Sequence, residues 1–230
     1  MTDNLTRQAY NKILTKIIDL DYMPGQKISE KDIKTDIGIV RTPVREAILR
    51  LKQEGLINVI PKSGTYISLI ELDRVNDALY LRRNLELPVL QEACCCTLSE
   101  EEILVSKQLV EKQEQALKCD DFSLFFKYFD QFNQMFYTVT EHPMVWKWLI
   151  SINIYFYRII VLNLKKNPDY KIRIVNYDKA ILKAIINKVP HEVTDCIESG
   201  MIINGEKEHL LIRHYYKYFD LTRHEFKYES

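Results

Sequence analysis

The chain has 230 residues, 47% of them hydrophobic and 28% charged, and its formal net charge is zero. This length allows two domains of ordinary size, and the composition predicts a globular core, which excludes a disordered chain. Residues 1–70 carry 11 Lys and Arg against 8 Asp and Glu, whereas the remainder carries 21 against 24. A mildly basic amino-terminal part followed by an acidic remainder suits contact with nucleic acid at the amino-terminal end.

The first part of the chain predicts three helices with local start and stop signals. Helix 1 covers about Leu5 to Leu20, because its apolar residues share one stripe. Ser29 is the expected N-cap of helix 2, with Asp32 three residues later to complete the cap. Helix 3 begins around Arg41–Pro43, where proline is tolerated because first-turn amides have no intrahelical partner. It ends near Glu54-Gly55.

Two alternating runs follow, residues 56–60 and 65–68, joined by Pro61-Lys62-Ser63-Gly64. The alternation predicts two strands, and glycine at the tip suits a turn that needs a positive φ. Three helices followed by a hairpin are the outline of a winged helix-turn-helix. We therefore expect residues 1–70 to be a DNA-binding domain with a small β-hairpin wing.

The third helix divides by face. Four apolar residues have the spacing of a buried helix face, namely Val44, Ala47, Ile48 and Leu51. The amino-terminal end of the other face carries Arg41, Thr42 and Arg45, and a recognition helix presents this end to base edges in the major groove. Arginine suits that place because its planar fork matches guanine O6 and N7. The alternative is an ordinary solvated face. Lys62 and Gly64 at the wing tip would reach the minor groove or the backbone.

The rest of the chain, residues 71–230, is predicted to be all-helical, since six glycines and seven prolines are too few for an all-β or loop-rich protein. Its apolar periodicity predicts about six helices. They lie near residues 72–96, 99–118, 121–140, 143–166, 170–188 and 191–213. The segment after His214 either extends the last helix or packs beside it, and the sequence leaves both open.

Several features predict a cytoplasmic protein without a membrane segment. The first four residues are polar, and the apolar core of a secretion signal does not follow them. The most apolar stretch, Val145 to Leu164, is interrupted by Lys147, Asn153 and Arg158, so it predicts a core helix rather than a membrane span. The adjacent cysteines at 94–96 have no disulfide spacing, which favours reduced thiols.

The first 68 residues resemble the DNA-binding domain of GntR-family bacterial transcription regulators. The resemblance rests on Met23-Pro24-Gly25, on the run from Arg41 to Leu51, on Glu54-Gly55-Leu56-Ile57 and on Pro61-Lys62-Ser63-Gly64. It implies that Arg41, Thr42, Arg45 and Gly64 fall where the family contacts operator DNA. One departure is Val40, where the family usually has serine as a cap or phosphate contact.

Residues 72–213 resemble, more loosely, the all-helical effector domain of the FadR subgroup, often called FCD. Many members hold a divalent metal with one aspartate and three histidines. The resemblance places the aspartate at Asp130 and the histidines at Gln134, Asp178 and approximately Gly200. Since none of the three is histidine, we expect no tightly held transition metal. A hard divalent cation on Asp130 and Asp178 stays open, because carboxylate and amide oxygens ligate Mg²⁺ or Ca²⁺.

The same region predicts a polar set inside an apolar bundle. Asp130, Gln134 and Tyr137 share one helix face beside a stripe of phenylalanines, and buried polar groups need partners that a bound ligand can supply. The alternative is a structural salt bridge between Asp130 and Arg82. Arg82 with Glu86, four residues apart, is either an ordinary helix-face pair or an anchor for a carboxylate-bearing effector.

Together these patterns predict a ligand-responsive transcription regulator, more plausibly a repressor, that binds a palindromic operator as a homodimer. A regulator of the same family that responds to acyl-CoA or lipid is a second hypothesis, suggested by the aromatic stripe. A helical metal-dependent enzyme is a third. The chain carries no nucleophile elbow, no paired-histidine motif and no phosphate-binding glycine loop, so we expect it not to be an enzyme.

Overall fold

The structure, a computed structural model, describes residues 2–199 and 205–221, with the side chains of residues 4–199 and 210–221. The chain divides into two compact units. The winged unit comprises Met1–Leu72 together with the segment from Ile212 onward, and the helical unit comprises Asp73–Leu211. The first boundary lies two residues from the position expected from sequence. The C-terminal segment, in contrast, is placed with the winged unit.

The winged unit has three helices and a small antiparallel sheet. Its elements are α1 (Thr2–Ile18), β1 (Lys27–Ile28), α2 (Glu30–Ile37), α3 (Arg41–Gln53), β2 (Ile57–Ile60), β3 (Gly64–Ile67) and β4 (Ile70–Glu71). The sheet has the order β1-β3-β2, with Val59 opposite Thr65 and Lys27 opposite Tyr66. The two hairpin strands were predicted from sequence, whereas β1 was not. The wing is therefore a three-stranded sheet rather than a hairpin alone.

Local capping fixes the helix-turn-helix. The Ser29 hydroxyl accepts a hydrogen bond from the Asp32 amide at 3.1 Å, and the Asp32 carboxylate accepts one from the Ser29 amide at 3.2 Å. This reciprocal cap satisfies two amides that the first turn of α2 leaves without partners. α2 ends at Gly38, whose φ of 68° is a left-handed conformation that glycine adopts without strain. The short turn then leads into α3.

The core of the winged unit is aliphatic. Residues from all three helices are completely buried, among them Ile13, Ile17, Ile33, Val44 and Leu51. The spacing of these residues follows the helical period, so each helix turns one apolar stripe inward. The polar face of α3 is left outside as a consequence.

The C-terminal segment forms a second small sheet in the winged unit. After a 3₁₀ turn at Tyr216–Tyr218, β5 (Phe219–Asp220) pairs in parallel with β4, so that Phe219 lies opposite Ile70. Phe219 is buried, and the Tyr218 hydroxyl lies 3.4 Å from the Met23 sulfur. The segment whose fate the sequence left open therefore packs within the winged unit.

The helical unit contains the remaining helices, except that Leu72 and the end of the last helix, from Ile212, belong to the winged unit. They are α4 (Leu72–Cys95), α5 (Glu100–Lys118), α6 (Phe122–Val139), α7 (Pro143–Lys166), α8 (Pro168–Ile186), α9 (Pro190–Ser199) and α10 (Gly205–His214). The single helix predicted for 191–213 is described as two helices, α9 and α10. The predicted fold class, mainly helical with a winged amino-terminal domain and a bundle of about six helices, is confirmed.

The core of the helical unit is aromatic. α6 buries Phe125, Phe129, Phe132 and Phe136, and Phe126 stacks on Tyr157 of α7 with ring centroids 3.9 Å apart. Among the described residues, α7 is the one helix long and apolar enough to cross a membrane, and about 56% of its apolar window is buried inside the protein. It lies in the bundle as a core helix, as its interruptions by polar residues suggest.

Candidate nucleic-acid interface and buried polar cluster

The amino-terminal end of α3 presents the predicted contact residues to solvent. Arg41 is 79% exposed, and Thr42 and Arg45 are also exposed. Val44 and Ala47 on the opposite face are fully buried. Because Arg41 and Arg45 are four residues apart, their side chains lie on the same helix face. The structure therefore brings these three residues together on one outward surface.

Glu30 at the start of α2 restrains Arg41. Its carboxylate accepts a hydrogen bond from Arg41 Nε at 3.4 Å. A contact at Nε leaves both terminal nitrogens of the guanidinium available for a bidentate contact. Val40 is the N-cap of α3, is 60% exposed and makes no side-chain cap, so the first-turn amides of α3 have no side-chain acceptor at that position. Such amides are a ready site for phosphate.

The wing carries the other predicted contacts. Lys62 and Ser63 are exposed at the tip, where Lys62 has a left-handed φ of 63°. Gly64 has a φ of 141°, a conformation that L side chains rarely adopt, so glycine is required there. The Ser63 and Tyr66 hydroxyls form a 2.8 Å hydrogen bond that ties the tip to β3. The wing tip thus presents one cation and a closely approachable backbone.

In the helical unit, Arg82 and Glu86 form a buried ion pair on α4. Arg82 is 2% exposed, and its Nη2 donates to the Glu86 carboxylate. Its Nη1 donates to Asn153 Oδ1 of α7 at 2.9 Å, and its guanidinium lies 5.3 Å from the Phe129 ring and 5.0 Å from the Phe156 ring. Burial raises the pKa of Glu86, and the adjacent Arg82 opposes that rise. The i, i+4 pair is therefore a core pair rather than a surface one.

Asp130 of α6 joins this cluster through α7. The Tyr157 hydroxyl donates to Asp130 Oδ1, and Asn153 Nδ2 lies 3.4 Å from the same oxygen. Arg82 and Asp130 are thus linked through Asn153, and no direct salt bridge between them is seen within the described structure. Burial raises the pKa of Asp130 to about 7, against the lowering effects of Tyr157 and Arg82. Near neutral pH its carboxyl is therefore poised to gain or lose a proton.

Asp178 of α8 is another buried carboxyl with a raised pKa. It is 1% exposed, and burial raises its pKa to about 8, with Gln113 of α5 and Arg82 opposing and Glu86 adding to the rise. Gln113 lowers the pKa of Asp178, so the two side chains lie close together. Nevertheless, Asp178 Oδ2 and both polar atoms of the Gln113 amide are buried without a hydrogen-bond partner among the described residues. We take the two side chains to be neighbours that do not form a direct bond.

The remaining predicted effector residues fall in different environments. Tyr137 is fully buried, and its hydroxyl is buried without a partner in the described part of the chain. Gln134, in contrast, is exposed. The expectation that it shares the interior face with Asp130 and Tyr137 is wrong, because α6 is a bundle helix whose apolar stripe turns position 134 outward. Gly200 lies outside the described residues.

The cluster does not form a conventional metal centre. Among the described residues, no three His, Cys, Asp or Glu side chains are arranged to hold a metal ion. What the cluster offers is a set of buried polar atoms without partners, namely Arg82 Nε, Tyr137 OH, Asp178 Oδ2 and the Gln113 amide. Buried polar atoms without partners are uncommon in folded proteins, and an unobserved ligand or water is a usual explanation.

Sequence reasoning missed Asn153, Tyr157 and Gln113. Asn153 was noticed only as a polar interruption of an apolar helix, and that interruption was the available signal for a role inside the core. Gln113 gave no comparable signal, since a single glutamine in an amphipathic helix is usually exposed. Lys27 of the winged unit was also missed, because the strand that carries it has only two residues.

The comparisons with known proteins agree with the geometry of the winged unit. Residues 5–67 match the model for "Bacterial regulatory proteins, gntR family". An uncharacterized HTH-type transcriptional regulator in an unstable DNA locus of Streptomyces ambofaciens is 34% identical over 140 residues, which cover 61% of this chain and 58% of that protein. The HTH-type transcriptional repressor RspR of Escherichia coli is 26% identical over 145 residues, or 63% of each chain.

A solved structure extends the likeness to the fold of almost the whole chain. Escherichia coli McbR/YncC aligns with a TM-score of 0.70 at 19% identity, over 92% of this chain and 98% of that one. At this identity the likeness shows the fold alone. The matched segments span 58% and 63% of the length of the two curated relatives above. The likeness to the gntR family of bacterial regulatory proteins is thus carried by residues 5–67, within the winged unit.

Proposed function

We propose that the chain is a ligand-responsive bacterial transcription regulator that binds operator DNA in the cytoplasm. The observation that carries this proposal is the exposed trio Arg41, Thr42 and Arg45 at the amino-terminal end of α3 in a gntR-family domain. A helix inserted by this end places the two guanidinium groups against base edges, while Lys62 and Gly64 of the wing approach the backbone.

The regulator acts as a homodimer on a near-palindromic site, and as a repressor. Two winged units related by a two-fold axis read two half-sites, whose spacing is fixed by the protein. The relative RspR carries the name of a repressor, which supports the sign of regulation. The looser resemblance of residues 72–213 to the FadR subgroup supports an effector domain of the FCD type for the helical unit.

The effector site is the buried polar cluster around Arg82, Asp130, Tyr137 and Asp178. Its atoms without partners include donors and acceptors, so it suits a small polar molecule that supplies both. A carboxylate effector has weaker support than the sequence suggested, because Arg82 already binds Glu86 and two more carboxyl groups lie within electrostatic range. An effector with an amine or several hydroxyls, or a hard cation, fits the excess of carboxyl groups better.

Operator selection tests the DNA-binding half of the proposal. Wild-type protein is used to enrich bound duplexes from a random-sequence pool, and gel-shift titration then compares the enriched duplex with a scrambled one. We expect an inverted repeat and at least a thousandfold preference. Failure to enrich any sequence at low salt would contradict the assignment. Sedimentation of the complex then counts the protomers on the duplex.

A thermal-shift panel tests the effector half. The full chain is heated with polyols, amino compounds, carboxylates and Mg²⁺ in separate wells. Each compound that raises the unfolding temperature is then assayed for its effect on the gel shift. An effector that binds one state of the regulator better changes both stability and DNA affinity, because the two are linked. Native mass spectrometry of freshly purified protein covers the acyl-CoA or lipid alternative, since such a ligand would remain bound.

A further inference from the structure

We propose that Lys27 is an additional DNA contact, a phosphate-binding cation that β1 adds to the wing. This inference rests on the proposed binding of operator DNA and extends it to a residue outside both the recognition helix and the hairpin. It is carried by the third strand of the sheet, which places a side chain from the start of the helix-turn-helix on the wing.

Strand pairing fixes the position of Lys27. β1 pairs with β3 so that Lys27 lies opposite Tyr66, and its ammonium group lies 5.8 Å from the centre of the Tyr66 ring. Its stem crosses the backbone at Gly64, where a Cβ atom would come within 2.8 Å of Lys27 Cε. Glycine at this position is needed for its φ of 141°, and the lysine stem lies directly against it.

The surroundings of Lys27 hold its side chain without neutralising its charge. The Tyr66 ring is itself tied to the wing tip through the 2.8 Å bond between its hydroxyl and Ser63. Lys27 is exposed, and in the part of the chain that the structure describes it makes no salt bridge. Lys16, by comparison, lies 3.1 Å from Asp36. An ordered ammonium group without an anion on a DNA-binding surface is suited to a phosphate.

The chain path places Lys27 between the two elements that we expect to enter the grooves. Glu30 follows Lys27 by three residues and contacts Arg41 of α3. Three residues of chain span at most about 11 Å. Lys27 therefore lies beside the wing on one side and within a short distance of the amino-terminal end of α3 on the other. If α3 enters a major groove and the wing the adjacent minor groove, the phosphates between the two grooves are the DNA groups nearest to Lys27.

The chemistry of lysine favours the backbone over the bases. An ammonium group is a compact point charge without the planar fork that reads guanine. Contacts to phosphate fix the register of the protein on the duplex but carry no sequence information. Lys27 should accordingly contribute equally to binding of operator and of unrelated DNA, and its contribution should fall with salt.

The experiment compares Lys27→Met with Lys112→Met. Both changes remove an ammonium group and keep the length of the stem. Lys112 is a matched control because its ammonium group lies 5.6 Å from the Tyr128 ring, in the helical unit. Affinities of the full chain for operator and scrambled duplexes are measured between 50 and 200 mM salt, conditions chosen because charge contacts dominate there.

For Lys27→Met we expect the slope of log affinity against log salt to fall by about 0.9, and the affinity at 0.1 M salt to fall roughly eightfold on both duplexes. Lys112→Met should match wild type, and Lys27→Arg should keep the slope. A second neutral variant, Lys27→Gln, gives the same answer if methionine perturbs the sheet. An unchanged slope in a folded neutral variant, or a loss confined to the operator, overturns the inference. If wild-type protein binds neither duplex, the proposed function fails first.

Discussion

Arginine has opposite environments in the two units of this protein. Arg41 in the winged unit is 79% exposed and meets one carboxylate at 3.4 Å, whereas Arg82 in the helical unit is 2% exposed and is held by Glu86, Asn153 and two aromatic rings. An exposed guanidinium keeps its hydrogen-bonding capacity for a molecule that arrives from outside. A buried one must find its partners within the fold, because an unpaired buried charge is very unfavourable.

The comparison extends to the cores. The winged unit packs mainly aliphatic residues, and among the described residues its carboxyl and basic side chains are not fully buried, so its fold depends less on their charge. The helical unit surrounds Glu86, Asp130 and Asp178 with aromatic residues, so its stability depends on their protonation. The winged unit thus presents charged side chains to solvent, whereas the helical unit holds several of them inside.

The strongest test of this contrast is pH. Burial raises the pKa of Asp178 to about 8, from about 3.9 in an unfolded chain. The folded state therefore holds the proton more tightly, and the stability this provides is present below about pH 4 and lost as pH rises through about 8. The loss for Asp178 alone is at most about 6 kcal/mol. We expect the helical unit to unfold at lower denaturant concentration at pH 9 than at pH 6.

Tryptophan fluorescence isolates that effect, because both tryptophans of the chain, Trp146 and Trp148, lie on α7. Asp178→Asn should flatten the dependence between about pH 4 and 8, since an amide cannot ionise. Asp130→Asn is the control. It should flatten the curve between about pH 4 and 7 and leave the fall between pH 7 and 8 in place, because the pKa of Asp130 is about 7. Equal pH dependence in wild type and Asp178→Asn would mean that Asp178 does not hold its proton in the folded state.

Breaking the Arg82–Glu86 pair should have the next largest effect. Arg82→Ala leaves Glu86 buried without its counter-charge, and such changes destabilise by about 3–5 kcal/mol. The neighbouring Arg83 is exposed, so Arg83→Ala should change stability by less than about 0.5 kcal/mol. Urea unfolding followed by tryptophan fluorescence measures both.

A double variant tests the reason for the loss. Replacing both members, Arg82→Met with Glu86→Leu, removes the buried charges together and should recover part of the stability. If the double variant is as unstable as Arg82→Ala, the loss comes from packing around the guanidinium stem rather than from an unpaired carboxylate.

The elements that sequence predicted well are those fixed by local chemistry. Ser29 with Asp32 and Ser99 with Glu102 form reciprocal caps, and the helices that follow begin at Glu30 and Glu100. A cap is decided within four residues, so its signal is present in the sequence itself. The outward face of α3 follows from the same kind of local period.

The features that sequence missed depend on distant partners. β1 has two residues and exists because β3 supplies its hydrogen bonds, and β5 pairs with a strand about 150 residues earlier in the chain. Arg82 meets Asn153 across 71 residues. No local pattern encodes such pairings. The exposure of Gln134 was misjudged for a similar reason, because a helix can carry polar residues on either side of an apolar stripe.

Arg45→Ala tests the outward-facing charges of the winged unit. If Arg45 contacts a base, its loss should reduce operator affinity by about 1–3 kcal/mol and relax the preference at one base pair. Lys52 is exposed in the last turn of the same helix, away from the amino-terminal end, so Lys52→Ala should leave base preference unchanged. Gel-shift titration on the selected operator and its single-base variants measures both. Unchanged affinity for Arg45→Ala would remove this residue from the contact set.

Each unit has one reciprocal cap, at Ser29 and at Ser99, so the same substitution can be made in both units. The expected effects are the smallest of those considered, but the comparison is direct. Ser29→Ala and Ser99→Ala each remove the side-chain acceptor that caps the start of a helix. Each change should destabilise its helix by about 1 kcal/mol. The Ser29 change loosens the first turn of α2, which carries Glu30 and hence the restraint on Arg41, so operator affinity should fall while the tryptophan-monitored transition stays in place. The Ser99 change should shift the tryptophan transition and leave operator affinity intact. The reverse assignment, or equal effects of both changes on both readouts, would mean that the two units do not keep their stabilities separate.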